Sequence, residues 1–182
     1  MTLNEIIYSA LGQLERGVDA QTVDKYRDSF RDYANSALVE IAKRVKPTHI
    51  ATVELDENGW FDPSVLPRLC TSIDSITNAS GAAMSWREVC TGTIEVTNGA
   101  LQTVRVLYRY IPAELTSPND VPQLPEYMHR AITYYVVALN NLNTGKDTAV
   151  DYFSQFNRQI SLIKSNPHYG DSAKNKLINM GW

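Results

Sequence analysis

Ile41-Ala42-Lys43-Arg44-Val45-Lys46-Pro47-Thr48-His49-Ile50-Ala51-Thr52-Val53-Glu54-Leu55 contains the point at which the hydrophobic period of the chain changes. Up to Val45, the residues Val23, Tyr26, Phe30, Tyr33, Ala37, Leu38 and Ile41 recur at the spacing of one buried helix face. From Thr48 onward the residues alternate and are rich in β-branched side chains, the pattern of a half-buried strand. Pro47 separates the two, because the residue before a proline avoids helical geometry. Lys43, Arg44 and Lys46 sit where cations complement the helix dipole. Helix followed by antiparallel strands predicts an α+β fold.

Toward the N-terminus, Thr2 and Glu5 have capping-box spacing, and Leu3, Ile6, Ile7, Ala10, Leu11 and Leu14 form a stripe that Gly17 ends. Asp19 is the expected cap of the second helix. Toward the C-terminus, the alternating pattern continues to residue 112. A turn at Asp56-Glu57-Asn58-Gly59 leads to a return strand at Trp60-Phe61, and Thr71 to Thr77 ends at Asn78-Ala79-Ser80-Gly81. Asn98-Gly99 reads as a tight hairpin joining Thr93–Thr97 to Gln102–Tyr110. Residues 113–121 read as a linker with Pro118. A third helix then opens at Pro125, with Met128, Ala131, Ile132, Tyr135, Leu139 and Leu142 as its stripe and Gly145 as its end. Asp147 is the expected cap of a fourth, which turns Ala149, Val150, Phe153, Phe156, Ile160 and Ile163 inward.

These elements predict a bundle of four main helices, from 1–47 plus 122–165, carrying a small inserted antiparallel β-domain at 48–112. An extended C-terminal arm, 166–182, follows. The chain has 182 residues, of which 43% are hydrophobic and 20% charged, so it is long and apolar enough to bury a core. Its net charge of −3 argues against a protein that grips nucleic acid through phosphates. No apolar run is long enough to span a bilayer, and Met1-Thr2-Leu3-Asn4-Glu5 does not read as a signal peptide.

Residues that could carry chemistry do not form a recognisable constellation. Cys70 and Cys90 lack the spacing of a zinc site, and free thiols are the expected state, with a disulfide between them as the alternative. His49, His129 and His168 have no nucleophile at a telling distance in sequence. Asp19, Asp24, Asp28 and Asp32 share a helix side, but Lys25, Arg27 and Arg31 are interleaved, as on a solvated charged surface. Tyr108 and Tyr110, flanked by Arg105 and Arg109, have the composition of a surface that contacts DNA, but alternating Arg and Tyr is common on any half-exposed strand, and the strand is the expected reading. No catalytic residue, cofactor or metal is predicted.

The layout resembles the bacteriophage head-to-tail adaptors, in particular the tail tubular A-type neck rings of short-tailed phages. The resemblance lies in Ala34-Asn35-Ser36-Ala37-Leu38-Val39-Glu40-Ile41 before the β region and Trp60-Phe61 within it. It continues in Asp120-Val121-Pro122-Gln123-Leu124-Pro125-Glu126-Tyr127 with Ala131, Tyr134 and Ala138, then Asp147, Ala149, Tyr152 and Phe156. It implies a structural, non-enzymatic subunit of a virion neck, made in the host cytoplasm. The subunit's partners would be copies of itself in a dodecameric ring, the portal protein, and a downstream tail or nozzle protein, with double-stranded DNA passing non-specifically and no membrane contact. The portal-binding arm would carry Pro167, Tyr169, Leu177, Ile178 and Trp182. Two other readings are a tail-completion or stopper protein, with a dominant β-barrel, and a virion-associated cell-wall hydrolase using Glu88 and Glu95.

Overall fold

Thr2 opens the first helix as its sequence demands. Its hydroxyl accepts the Glu5 amide at 3.2 Å, and the Glu5 carboxylate accepts the Thr2 amide at 2.9 Å. The computed structural model describes residues 1–89 and 92–165. Its helices are α1 (Leu3–Gln13), α2 (Ala20–Val45), α3 (His129–Asn143) and α4 (Ala149–Ser165). Its strands are β1 (Thr48–Glu54), β2 (Trp60–Phe61), β3 (Leu69–Asn78), β4 (Ala83–Met84), β5 (Trp86–Val89), β6 (Thr93–Val96) and β7 (Thr103–Ile111). The described residues fall into two compact units. One combines Met1–Val45 with residues 112–165, and the other is Lys46–Ile111.

In the helical unit α3 is central, packing against α1, α2 and α4. It buries Ala131, Ile132, Thr133, Tyr134, Val136, Val137 and Ala138, which cover most of its circumference. The first helix is shorter than its stripe suggested: it ends at Gln13, and Glu15, not Gly17, takes the left-handed conformation (φ 55°). The Arg16 amide then closes the end on the Leu11 carbonyl at 3.0 Å. Asp19 caps α2 through the Thr22 amide at 3.0 Å. Gly145 ends α3 at φ 67°, with the Lys146 amide on the Asn141 carbonyl at 2.9 Å. Two stripe positions point outward instead: Leu142 and Val150 are exposed, while Asn140 and Asn141 are buried. The reason is local. The Asn141 amide donates to the Thr148 hydroxyl at 3.0 Å, so the α3–α4 turn needs that polar side chain inside.

Residues 113–121 lie against α1 and α2. Asn35 on α2 accepts the Leu115 amide at 2.8 Å and donates to the Leu115 carbonyl at 3.1 Å. The carbonyls of Asp120 and Pro118 receive the Leu3 and Asn4 amides at 2.8 and 3.0 Å, two donors that a helix start leaves orphaned. Arg44 ties α2 to α4, reaching Asn157 at 2.6 Å and lying over the Phe156 ring.

The expected small β-domain inserted in a four-helix bundle is not what forms. Among the described residues the strands make two antiparallel sheets, of order β1-β7-β3-β4 and β2-β6-β5. They enclose a core of their own from Ala51, Val53, Phe61, Ile76, Ile94, Val104, Val106 and Tyr108. The two expected hairpins are absent for one reason: both turns carry the chain from one sheet to the other. Trp60-Phe61 pairs with Ile94-Glu95 rather than with β1. Across Asn98-Gly99, β6 and β7 do not pair, since β7 lies between β1 and β3. The two crossings touch, with Leu101 N–H on Asp56 O and Val96 N–H on Gly59 O, both at 2.9 Å. A Cβ on Gly59 (φ 79°) would meet the Val96 carbonyl at 2.9 Å, and one on Gly99 would meet Leu55 at 2.6 Å.

Two glycines should therefore respond oppositely to alanine. Gly59→Ala is expected to lower stability by roughly 1–3 kcal/mol, through backbone strain and collision. Gly12→Ala, inside α1 with nothing within 4 Å of its Cβ, is expected to raise it by about 0.4–1 kcal/mol. Urea denaturation of the two variants checks both signs. Asn35→Ala leaves the buried Leu115 amide and carbonyl without their partner and should cost about 1–3 kcal/mol by the same measurement.

Candidate functional site

The β unit has an open cleft of about 450 Å³ with residues of β3 and β5 in its lining, among them Asp62, Cys70, Ser72, Ile73, Trp86 and Glu88. Ile94 of β6, a core residue, lines it as well, and among the described residues its thiol is that of Cys70 on β3. Burial pushes the pKa of the Cys70 thiol up, outweighing the Ser72 amide that opposes the shift. Cys70 is therefore a protonated thiol at neutral pH rather than a nucleophilic thiolate.

Glu88 and Glu95 do not converge. Glu88 pairs in register with Ile94 and Glu95 with Arg87, so alternation along the strands puts the two carboxylates on opposite faces of one sheet. Glu95 is also taken up by the Arg87 guanidinium. A glycosidase needs both carboxyl groups flanking one bond, which this register does not provide.

The remaining candidates have structural partners. Tyr108 and Tyr110 face the β core at 0% and 2% exposure, so they are no stacking platform. The alternation of β7 puts Arg105 and Arg109 on the other face, and Arg109 pairs with Asp74 at 2.9 Å. The acidic side of α2 is neutralised locally: Asp24 by Arg27 at 2.9 Å, Asp28 by Arg31 at 3.1 Å, and Asp32 by Arg31 at 3.4 Å. Among the described residues, no group of His, Cys, Asp and Glu is placed to hold a metal ion, and no helix is long and apolar enough to cross a membrane.

His49 packs edge-on against Tyr108 and Tyr110. Its pKa is lowered by burial first and by the Arg68 charge second. His129 is the residue that periodicity least suggested, since it opens α3 fully buried. Its Nε2–H donates to the Leu124 carbonyl at 2.9 Å, which leaves Nδ1 to accept from the Met1 nitrogen at 3.0 Å. Burial lowers its pKa more than the Leu124 carbonyl raises it. A signal existed in Leu124-Pro125, whose upstream carbonyl has no helical amide to receive, but no spacing rule pairs it with a histidine. Pro167, Tyr169, Leu177, Ile178 and Trp182 of the expected arm lie outside the described residues, as do His168 and Cys90.

No protein-family model matches the chain, and no curated protein matches it.

Both described imidazoles hold a proton less tightly in the folded protein than in the unfolded chain, where they take one up near the ordinary pKa of 6.5. The unfolded state then binds more protons, so stability is full above about 6.5 and falls as the pH drops below it. His129→Gln should flatten that fall, measured as the urea midpoint at pH 7.5 against pH 5, and His49→Gln with His129→Gln should flatten it further.

Proposed function

We propose that this chain is a structural head-to-tail adaptor of a phage virion, one subunit of an oligomeric ring beneath the portal that joins head to tail and leaves a passage for DNA. The observation that carries the reading is the closure of the helical unit. Helices from both ends of the chain pack on α3, and the segment after β7 is locked to α2 by Asn35 and to the start of α1 by Asp120 and Pro118. That arrangement supports the layout on which the resemblance rests, with paired helices before and after the strands. It favours an adaptor over a stopper, whose dominant element would be a β-barrel.

Charge supports the same reading. Arg27, Arg31, Arg44, Arg87 and Arg109 each face a carboxylate of the same chain. A net charge of −3 with paired guanidinium groups suits a wall along which DNA slides, because each phosphate contact would retard its passage. The work of such a subunit is mechanical: repeated modest contacts between copies add up to a firm ring.

Cryo-electron microscopy of the virion that encodes this chain tests the proposal. The expected result is a ring of copies at the portal–tail junction, with α1–α4 of neighbouring copies side by side. A neck from which the chain is absent, or in which it occurs singly, overturns it.

A further inference from the structure

From the open edge of β1 we infer a surface that pairs with β1 of a second copy of this chain, extending the first sheet across a two-fold axis. The backbone bonds that flank the strand decide which of its groups are free. Leu55 N–H reaches Gln102 O at 2.9 Å, and Tyr110 N–H reaches Pro47 O at 3.2 Å, so the odd-numbered residues face β7. With Thr48 opposite Arg109 and Glu54 opposite Thr103, the alternation turns the N–H and C=O of Thr48, Ile50, Thr52 and Glu54 outward. None of these four residues has a backbone hydrogen bond toward that side from any described residue.

Other strand edges are guarded. The two sheets end in β2 and β4, of 2 residues each, and in β5, of 4 residues with Arg87 and Glu88. The open part of β3 has register shifts at Cys70/Ser72 and Ile73/Ser75. Short length, charge and bulges are the usual devices that stop a sheet from growing. β1 has none of them: it runs 7 residues without a bulge, Pro, Gly or Lys, and its one formal charge is Glu54 at the end.

Self-complementarity selects the second copy as occupant. In an antiparallel pair centred on Ala51, Ile50 meets the partner copy's Thr52 and Thr48 meets its Glu54, and the outward residues exchange both of their bonds. This register engages all four outward residues. Ala51 then meets its own symmetry mate at a non-hydrogen-bonded position, where strands approach most closely and a small side chain fits. No like charges stand opposite one another, and Glu54 faces a hydroxyl. Such a contact closes at two copies, unlike the head-to-tail contacts of a ring, so neither proposal rests on the other.

Sedimentation equilibrium of the purified chain, with amide exchange over the same concentrations, provides the test. The expected result is a dimer whose formation slows exchange at Ile50 and Thr52. Thr52→Pro deletes only an outward amide, which an edge strand tolerates, and should weaken the dimer roughly ten- to a hundredfold with unchanged circular dichroism. Thr52→Lys keeps the amide, places a charge in the pairing and should also weaken it. Oxidised Ala51→Cys should yield a cross-link mapped to position 51 in both copies, which fixes the register. A wild-type chain that stays monomeric throughout overturns the inference. So does a dimer that both Thr52 variants leave intact and that Ala51→Cys does not cross-link.

Discussion

Asn35 presents one donor and one acceptor to Leu115, at 3.1 and 2.8 Å, in a place where Leu115 is only 2% exposed. A buried peptide group must find its partners inside the protein, because leaving either of them unmade costs the desolvation of that group. A side-chain amide fits because it copies the donor and acceptor of a peptide. The consequence runs through the whole helical unit. Once Leu115 is held, the carbonyls of Pro118 and Asp120 are delivered to the first amides of α1. Asp120 steadies this delivery through the amides of Thr116 and Ser117, at 2.7 and 2.8 Å. Those same amides hold its carboxyl below its ordinary pKa. A segment rich in Pro, Ser and Asp thereby acts as a cap and a clasp.

The β unit rests on a comparable constraint at its corners. The crossings at Asp56–Gly59 and Val96–Gln102 pass close to one another, closer than side chains at Gly59 and Gly99 would allow. Asp56 organises the first of them by accepting the amides of Asn58 and Trp60, each at 2.8 Å. Because strands change sheets there, each sheet lends its inner face to a single core, and Tyr108, Tyr110 and Phe61 turn toward it. The same arrangement sorts side chains between the two faces of each sheet. Tyr108 and Tyr110 are drawn inward, whereas Arg87 of β5, Glu95 of β6 and Arg109 of β7 remain outside, Arg87 paired with Glu95 and Arg109 with Asp74.

Much of the helical part was legible in residue order. Helical periodicity is a property of neighbours three and four apart, so the buried faces of α1 and α2, the capping box at Thr2, the Asp19 cap and the Gly145 stop could all be read locally. The ends of strands could be read too, since Asn78-Ala79-Ser80-Gly81 is a turn by its own chemistry, with the Asn78 side chain accepting the amides of Ser80 and Ala82. Among candidate sites, the interleaved charges on α2 behaved as their spacing suggested, whereas the cleft and the buried His129 were invisible because residues distant in sequence form them.

What the sequence by itself determined is therefore the type of the four helices and of β1, β2, β3, β6 and β7, with most of their apolar faces, because those follow from local spacing and propensity; the short strands β4 and β5 carry too few residues to show a period. Pairing between strands was decided only in the folded chain. The composition of Asp56–Gly59 and of Asn98-Gly99 suits a hairpin, yet both connect different sheets, since alternation states which residues face a core and not which strand lies alongside. The same holds for Leu142 and Val150, apolar by type and exposed by position, because a polar contact from Asn141 to Thr148 took the interior instead. Tertiary structure decides such cases because burial is shared among distant residues, and the best total packing overrides the preference of any one of them.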